Sequence, residues 1–236
     1  VTLVEQEFAG AGSTGAAMGH LVVMDDSPAQ MQLCHLSRQY WDDLARDLPE
    51  SIEFDRCGTL WVAATDQELE SARAKVAVYQ RHGIAVEMLD SHALREAEPS
   101  LREGLHGALR VPGDAVCYPP VVARILLERA LANGMRLVRD RAVRIGTGQV
   151  TLQSGATISC GRVVVAAGAH SGLLVSGLPV MPRRGHLCIS DRTHIRVRHQ
   201  LVELGYLHSA HTMGGASVAF NIQPRRTGQL LIGSSR

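Results

Sequence analysis

VTLVEQEFAGAGSTGAAMG, residues 1–19, decides how the rest of the chain is read. Val1, Leu3 and Val4, with Thr2, make a short apolar, β-prone run that ends on the carboxylate of Glu5. A loop of Gly, Ala, Ser and Thr follows. In dinucleotide-binding folds an acid at the tip of a parallel strand accepts hydrogen bonds from a ribose. That acid belongs to the second strand, and a glycine-rich turn lies before it. Here the acid is present and the turn is not. Glu5 is either an ordinary exposed charge or part of a binding site that this chain enters partway through.

The bulk numbers narrow the classes. A chain of 236 residues suffices for one large domain or two small ones. At 45% hydrophobic and 20% charged, the composition is that of an ordinary soluble globular protein. The formal net charge of +1 gives no broad field to attract nucleic acid or an anionic membrane. No apolar run approaches the ~20 residues that span a bilayer, and the first residues lack the features of a signal peptide. The five cysteines, Cys34, Cys57, Cys117, Cys160 and Cys188, are odd in number and widely spaced, with no C-x-x-C pair. That pattern argues against a metal site or a disulfide framework and for a reducing, cytoplasmic setting, with the thiols acting as small buried apolar groups.

Helical periodicity runs from Ser27 to Leu48, with Ser27-Pro28 as its opening signature. Asp66 to Gly83 reads as a helix with acids early, bases late and a glycine stop. A brief helix is expected at SHALREAEPSL, broken at Pro99, and the clearest one opens at Pro119-Pro120 and ends at Asn133-Gly134. Strands are expected at GTLWVAAT and IAVEMLD, and the Ser154-Gly155 turn suits a hairpin. RVVVAAGAHSG (162–172) reads as a parallel strand buried on both faces. From Pro179 onward HLCIS, QLVELGYLHS, ASVAFNIQ and QLLIGSS are strand-like.

Taken in order, the opening strand with AGAGSTGAAMGHL, then GDAVCYPPVVARILLERALANG, VVVAAGAHSG, LPVMPRRGHLCIS and PRRTGQLLIGSSR resemble one family across essentially the whole chain. It is the flavin-dependent amine and amino-acid oxidoreductases of the D-amino-acid oxidase type. The nearest subgroup is glycine oxidase, sarcosine oxidase and the D-hydroxyproline or opine dehydrogenase subunits. The resemblance implies an α/β fold: a Rossmann-like FAD-binding domain with a parallel sheet, and an inserted mixed-sheet α+β substrate domain. The expected division is 1–55 and 113–178 for the FAD-binding domain, its first strand missing, and 56–112 and 179–236 for the substrate domain. Without the leading glycine turn, the family's last segment or an initial Met, the chain reads as an internal portion of a longer flavoprotein.

The resemblance also assigns roles. Glu5 grips the adenosine ribose of FAD. Ser13, Thr14, Gly15, Ala16 and Ala17 line the path of the pyrophosphate and flavin, where small side chains let a phosphate reach backbone N–H groups. Val143 pairs its backbone with the adenine, and Ala166, Ala167 and Gly168 let the chain pass against the cofactor with no side chain between. His20 lies by the reactive face of the flavin, and Asn221 lines the substrate pocket with Phe220 as its alternating neighbour. Arg183 and Arg184 either face a substrate carboxylate, which a guanidinium fork suits, or lie on the surface.

The implied reaction is FAD-dependent oxidation of a C–N bond in a small amino or imino acid, by hydride transfer to the flavin and without a general base. Partner subunits would pass the electrons onward. Two other classes stand beside it: an NAD(P)-dependent dehydrogenase, which predicts a single sheet without the late strands, and a non-catalytic flavin-fold fragment or subunit.

Overall fold

The computed structural model describes residues 1–23, 27–182, 184–205 and 218–235, the last stretch without the side chains of 218 and 219. Along the chain come β1 (Thr2–Glu5), β2 (His20–Leu21), α1 (Pro28–Leu44), β3 (Thr59–Ala63), α2 (Asp66–Arg81), β4 (Glu87–Asp90) and α3 (Ser91–Ala97). Next are β5 (Gly107–Val111), β6 (Ala115–Val116), α4 (Pro119–Ala132), β7 (Arg136–Arg139), β8 (Ala142–Gly146), β9 (Gln149–Leu152) and β10 (Thr157–Ser159). The last are α5 (Ser171–Leu174), β11 (His186–Ile189), β12 (Gln200–Glu203), β13 (Val218–Pro224) and β14 (Leu230–Ser235).

Local chemistry explains the helix starts. Ser27 caps α1 by accepting from Gln30 N–H at 3.2 Å, with Pro28 in the first turn. Thr65 caps α2 by accepting from Glu68 N–H at 3.2 Å, while Glu68 Oε2 accepts from Ala64 N–H at 2.7 Å. Asp90 caps α3 through Ala93 N–H at 2.8 Å. Each cap satisfies donors that the first helical turn leaves open.

The chain divides into two compact units: Val1–Ala17 with Pro119–Arg184, and Met18–Tyr118 with Gly185–Arg236. In the first, β1 pairs β7 in parallel, Thr2 opposite Arg136 through Glu5 opposite Arg139. A separate antiparallel sheet runs β10-β9-β8, with Ser154-Gly155 between β9 and β10. In the second, a seven-stranded mixed sheet runs β11-β14-β13-β12-β3-β5-β4, and β2 pairs β6. Within the large sheet β12 and β3 are parallel, and the other pairings are antiparallel.

Two apolar clusters build the second unit. Trp61, Ala63, Leu109, Val111 and Val202 meet Met31 of α1 and Ala72 and Tyr79 of α2. The alternate residues Leu60, Val62, Ala108 and Leu201 meet Leu94 of α3. This period-two division is why β3 is buried at every position.

Residues 18–55 and 113–118 pack with the seven-stranded unit, because α1 buries Met31 in its core and β2 pairs β6. One expectation changes. Residues 162–167 form no strand, and Val163 and Val164 are 40% and 90% exposed. An apolar run becomes a buried strand only where a neighbour supplies a ladder, and among the described residues none pairs with it.

Leu60→Ala is expected to cost 2–5 kcal/mol (roughly, for an apolar core truncation) in denaturant unfolding. Leu33→Ala, on the exposed side of α1, should stay within about 0.5 kcal/mol of the parent.

Candidate functional site

In the first unit, chemistry gathers at the end of β1. Glu5 is half-buried, and its Oε1 accepts from Glu7 N–H at 2.8 Å. Arg139, opposite Glu5 in the ladder, donates through Nη1 to the Glu7 carbonyl. The following loop turns on itself through Ala11 N–H to Phe8 O at 3.0 Å and Ala16 N–H to Gly12 O at 3.3 Å. Gly10 takes φ +90, and a Cβ on Gly15 would stand 2.5 Å from the Gly10 carbonyl oxygen, so both positions require glycine. The turn packs on the start of α4, where a Cβ on Gly10 would lie 3.4 Å from Pro120 Cα.

Ser13, Thr14, Gly15, Ala16 and Ala17 are exposed. Among the described residues, the N–H groups of Ser13, Thr14 and Gly15 donate to no backbone carbonyl. A bare backbone with open donors is what an anionic group needs for close approach. Val143 sits at an irregularity in β8, where the register passes from Ala142 opposite Leu152 to Arg144 opposite Thr151 and skips it. Ala166, Ala167 and Gly168 are exposed in the same unit, Gly168 at φ +56 with open space around it. Arg184 is exposed, and Arg183 lies outside the described residues.

In the second unit, His20 on β2 lies opposite Val116 on β6. Its ring is partly covered, with Nε2 buried and without a partner, and burial lowers its pKa to about 4. Asp114, fully buried in the turn between β5 and β6, ties this ribbon to its surroundings. Its Oδ1 accepts from Val23 N–H at 3.3 Å and lies 3.6 Å from Arg38 Nη1 of α1, and its carbonyl accepts from Gly58 N–H at 3.0 Å. Burial pushes its carboxyl up to about 7, against the opposing pull of the Thr59 hydroxyl and the Arg38 guanidinium. Cys57 and Cys117 are pushed up to about 11, chiefly by burial. Both thiols stay protonated and are poor nucleophiles.

Asn221 is buried while its neighbour Phe220 is 47% exposed, so Asn221 is the one of the pair that faces inward. The ladder sets it opposite Val202 and Gly233. Its Oδ1 has no partner, and a Cβ on Gly233 would lie 3.4 Å from that oxygen and 3.5 Å from Met18 Sδ. Gln223 and Gln200 are buried in the same sheet, also with unpartnered amide atoms. This face of the sheet changes from apolar at Trp61 and Val202 to amide-lined at Asn221 and Gln223.

The family model for "FAD dependent oxidoreductase" of the D-amino-acid oxidase type matches residues 1–236. The chain belongs to that family. This chain is 29% identical over 197 residues to hydrogen cyanide synthase subunit HcnC of Pseudomonas aeruginosa, covering 75% of its own length and 47% of that protein. It is 28% identical over 188 residues to a D-amino acid dehydrogenase of Granulibacter bethesdensis, covering 71% and 44%. It thus spans about half the length of the curated relatives it matches.

Its fold matches glycine oxidase from Bacillus cereus at TM-score 0.81 and 23% identity, over 99% of this chain and 65% of that one. L-proline dehydrogenase from P. horikoshii matches at TM-score 0.82 and 17% identity, over 98% and 62%. The seven-stranded mixed sheet is the strand module that a single-sheet NAD(P) dehydrogenase would lack.

Sequence reasoning missed Asp114, Gln200 and Gln223. Asp114 left one sign, a lone acid between two apolar strands in LRVPGDAVCY. The two glutamines left none, since an isolated Gln in a strand reads as solvent-facing.

Replacing Asp114 by Asn should change the pH dependence of stability. With a native pKa of about 7 against 3.8 unfolded, Asp114 binds more protons in the native state between those values. Its contribution to stability is therefore present at acid pH and lost as pH rises toward 7. Unfolding followed at fixed FAD from pH 4 to 8 should show Asp114→Asn gaining on the parent across pH 4–7, by up to about 4 kcal/mol, and a constant difference above.

Proposed function

We propose that this chain supplies the cofactor and substrate surfaces of an enzyme that oxidises a C–N bond in a small amino or imino acid. The observation that carries the proposal is the carboxylate at the tip of parallel strand β1, followed by a loop of small residues with open N–H groups, in a chain matched throughout by the FAD-dependent family. The names of the relatives support the substrate class: a D-amino acid dehydrogenase by sequence, and a glycine oxidase and an L-proline dehydrogenase by fold.

Bound FAD supplies the two-electron acceptor for the hydride on the amine-bearing carbon. In this reading the first unit is the FAD-binding domain. Glu5 accepts the ribose hydroxyls, the N–H groups at Ser13, Thr14 and Gly15 meet the diphosphate, Ala17 keeps the path narrow, the backbone at Val143 meets adenine, and Ala166–Gly168 give close approach. The second unit is the substrate domain. His20, its pKa held near 4, stays an uncharged imidazole at neutral pH and offers a ring nitrogen to the substrate. Asn221 Oδ1 accepts from the substrate amine. Arg183 and Arg184, which lie outside this unit, stay candidates for a substrate carboxylate. The relative named as a hydrogen cyanide synthase subunit supports partner subunits as electron acceptors, and the scattered free cysteines support a cytoplasmic setting. Among the described residues, no helix is long and apolar enough to cross a membrane.

The test uses the full protein. Absorption bands near ~370 and ~450 nm, those of an oxidised flavin, should bleach with one or more members of an amino- and imino-acid panel and return with an artificial electron acceptor. Asn221→Ala should lower kcat/KM by about tenfold or more on the best substrate, the loss of one buried hydrogen bond. A colourless protein whose melting temperature rises with NAD would overturn the reading.

A further inference from the structure

Arg139 stands apart from the other arginines of its segment. It closes β7, directly opposite Glu5 in the parallel ladder. Its guanidinium reaches across 132 positions of sequence to the carbonyl of Glu7. The N–H of that same Glu7 binds Glu5 Oε1 at 2.8 Å. These contacts form a short chain: guanidinium to Glu7 carbonyl, Glu7 amide to Glu5 carboxylate.

Arg139 is not spent elsewhere. Among the described residues it makes no ion pair. The adjacent acid, Asp140, is occupied by Arg141 N–H at 2.6 Å and the Ser154 hydroxyl at 2.5 Å.

The physical need for such a tether is plain. Gln6 and Glu7 are exposed, so the amide that orients Glu5 lies on a segment with little burial to hold it. A glutamate side chain free to rotate gives up about 1.5–2 kcal/mol of rotamer entropy when a ligand fixes it. Anchoring the Glu7 peptide at its carbonyl commits that peptide's N–H to one oxygen of Glu5 before ligand arrives. Preorganisation of this kind raises affinity without a new ligand contact.

We propose that Arg139 is a positioning residue that aims the Glu5 carboxylate at the adenosine ribose of FAD and thereby sets discrimination for the ribose hydroxyls. The inference rests on the ribose role given to Glu5 above. It assigns Arg139 no contact with the cofactor.

The experiment measures binding rather than turnover. Apoprotein of the full-length enzyme is titrated with FAD, and with an FAD analogue lacking the 2′-hydroxyl of the adenosine ribose, by quenching of flavin fluorescence. The parent should prefer FAD by about tenfold, the worth of one charge-assisted hydrogen bond. Arg139→Met, which keeps an apolar stem, should lose most of that preference by weakening FAD and leaving the analogue unchanged. Arg139→Lys should restore part of it. In a Glu5→Gln background, Arg139→Met should have no further effect. Equal weakening of both ligands, or an unchanged preference, overturns the proposal. A parent protein with no preference instead overturns the role of Glu5 itself. Arg139→Lys carries the same two-ligand comparison if Arg139→Met does not fold.

Discussion

Parallel strand pairing between segments far apart in sequence is the constraint on which both compact units depend. A parallel pair cannot be closed by a hairpin, so the chain must leave one strand and return to it from the same end. Thr2–Glu5 receives Arg136–Arg139 in this way, and Thr59–Ala63 receives Gln200–Glu203. Each unit is consequently assembled from two stretches of chain. The same geometry sets functional groups at strand ends. Glu5 and Arg139 become neighbours only because their strands run in the same direction and in that register.

In the second unit, burial of polar groups rather than apolar packing marks where chemistry can occur. Asp114 is held by Val23 and Arg38, and burial still raises its carboxyl to about 7. A charge in that position costs stability, and it persists beside the ribbon carrying His20, whose imidazole is pushed the other way, to about 4. Burial penalises the charged form of each, which raises an acid and lowers a base. Around neutrality the ribbon thus carries an imidazole that is uncharged and a carboxyl close to its midpoint.

The amides of Asn221, Gln200 and Gln223 extend the same theme across the sheet. Buried amide atoms without partners cost about 1–3 kcal/mol each unless a ligand or ordered water meets them. Apolar residues of similar volume would make a more stable sheet. One oxygen of Glu98 shows the contrast, although its Oε2 has no partner. There Glu98 Oε1 accepts from Arg198 N–H, His199 N–H and His199 Nδ1 at 2.7, 2.6 and 2.8 Å, joining the end of α3 to the start of β12.

Much of the secondary structure was legible from residue pattern alone. Ser27-Pro28, Thr65 and Asn133-Gly134 mark helix ends because caps and breakers act locally. The apolar run of β3 and the strand-like late segments were legible because β-prone composition between turn residues is local as well. The ordered motifs also carried the family, and Glu5 was visible as an acid ending an apolar run. What local pattern could not supply was the company each residue keeps. VVVAA at 163–167 has the composition of a buried strand, yet only Val165 is even half-buried, because a strand's burial is conferred by neighbours drawn from anywhere in the chain. Arg139 likewise looks like any surface charge until the ladder brings it to Glu7. Residue identity decided the elements, the family and the candidate ribose acid. Only tertiary structure decided which charges are buried, which are tethered and which amides are left without partners, because those properties belong to contacts between distant segments.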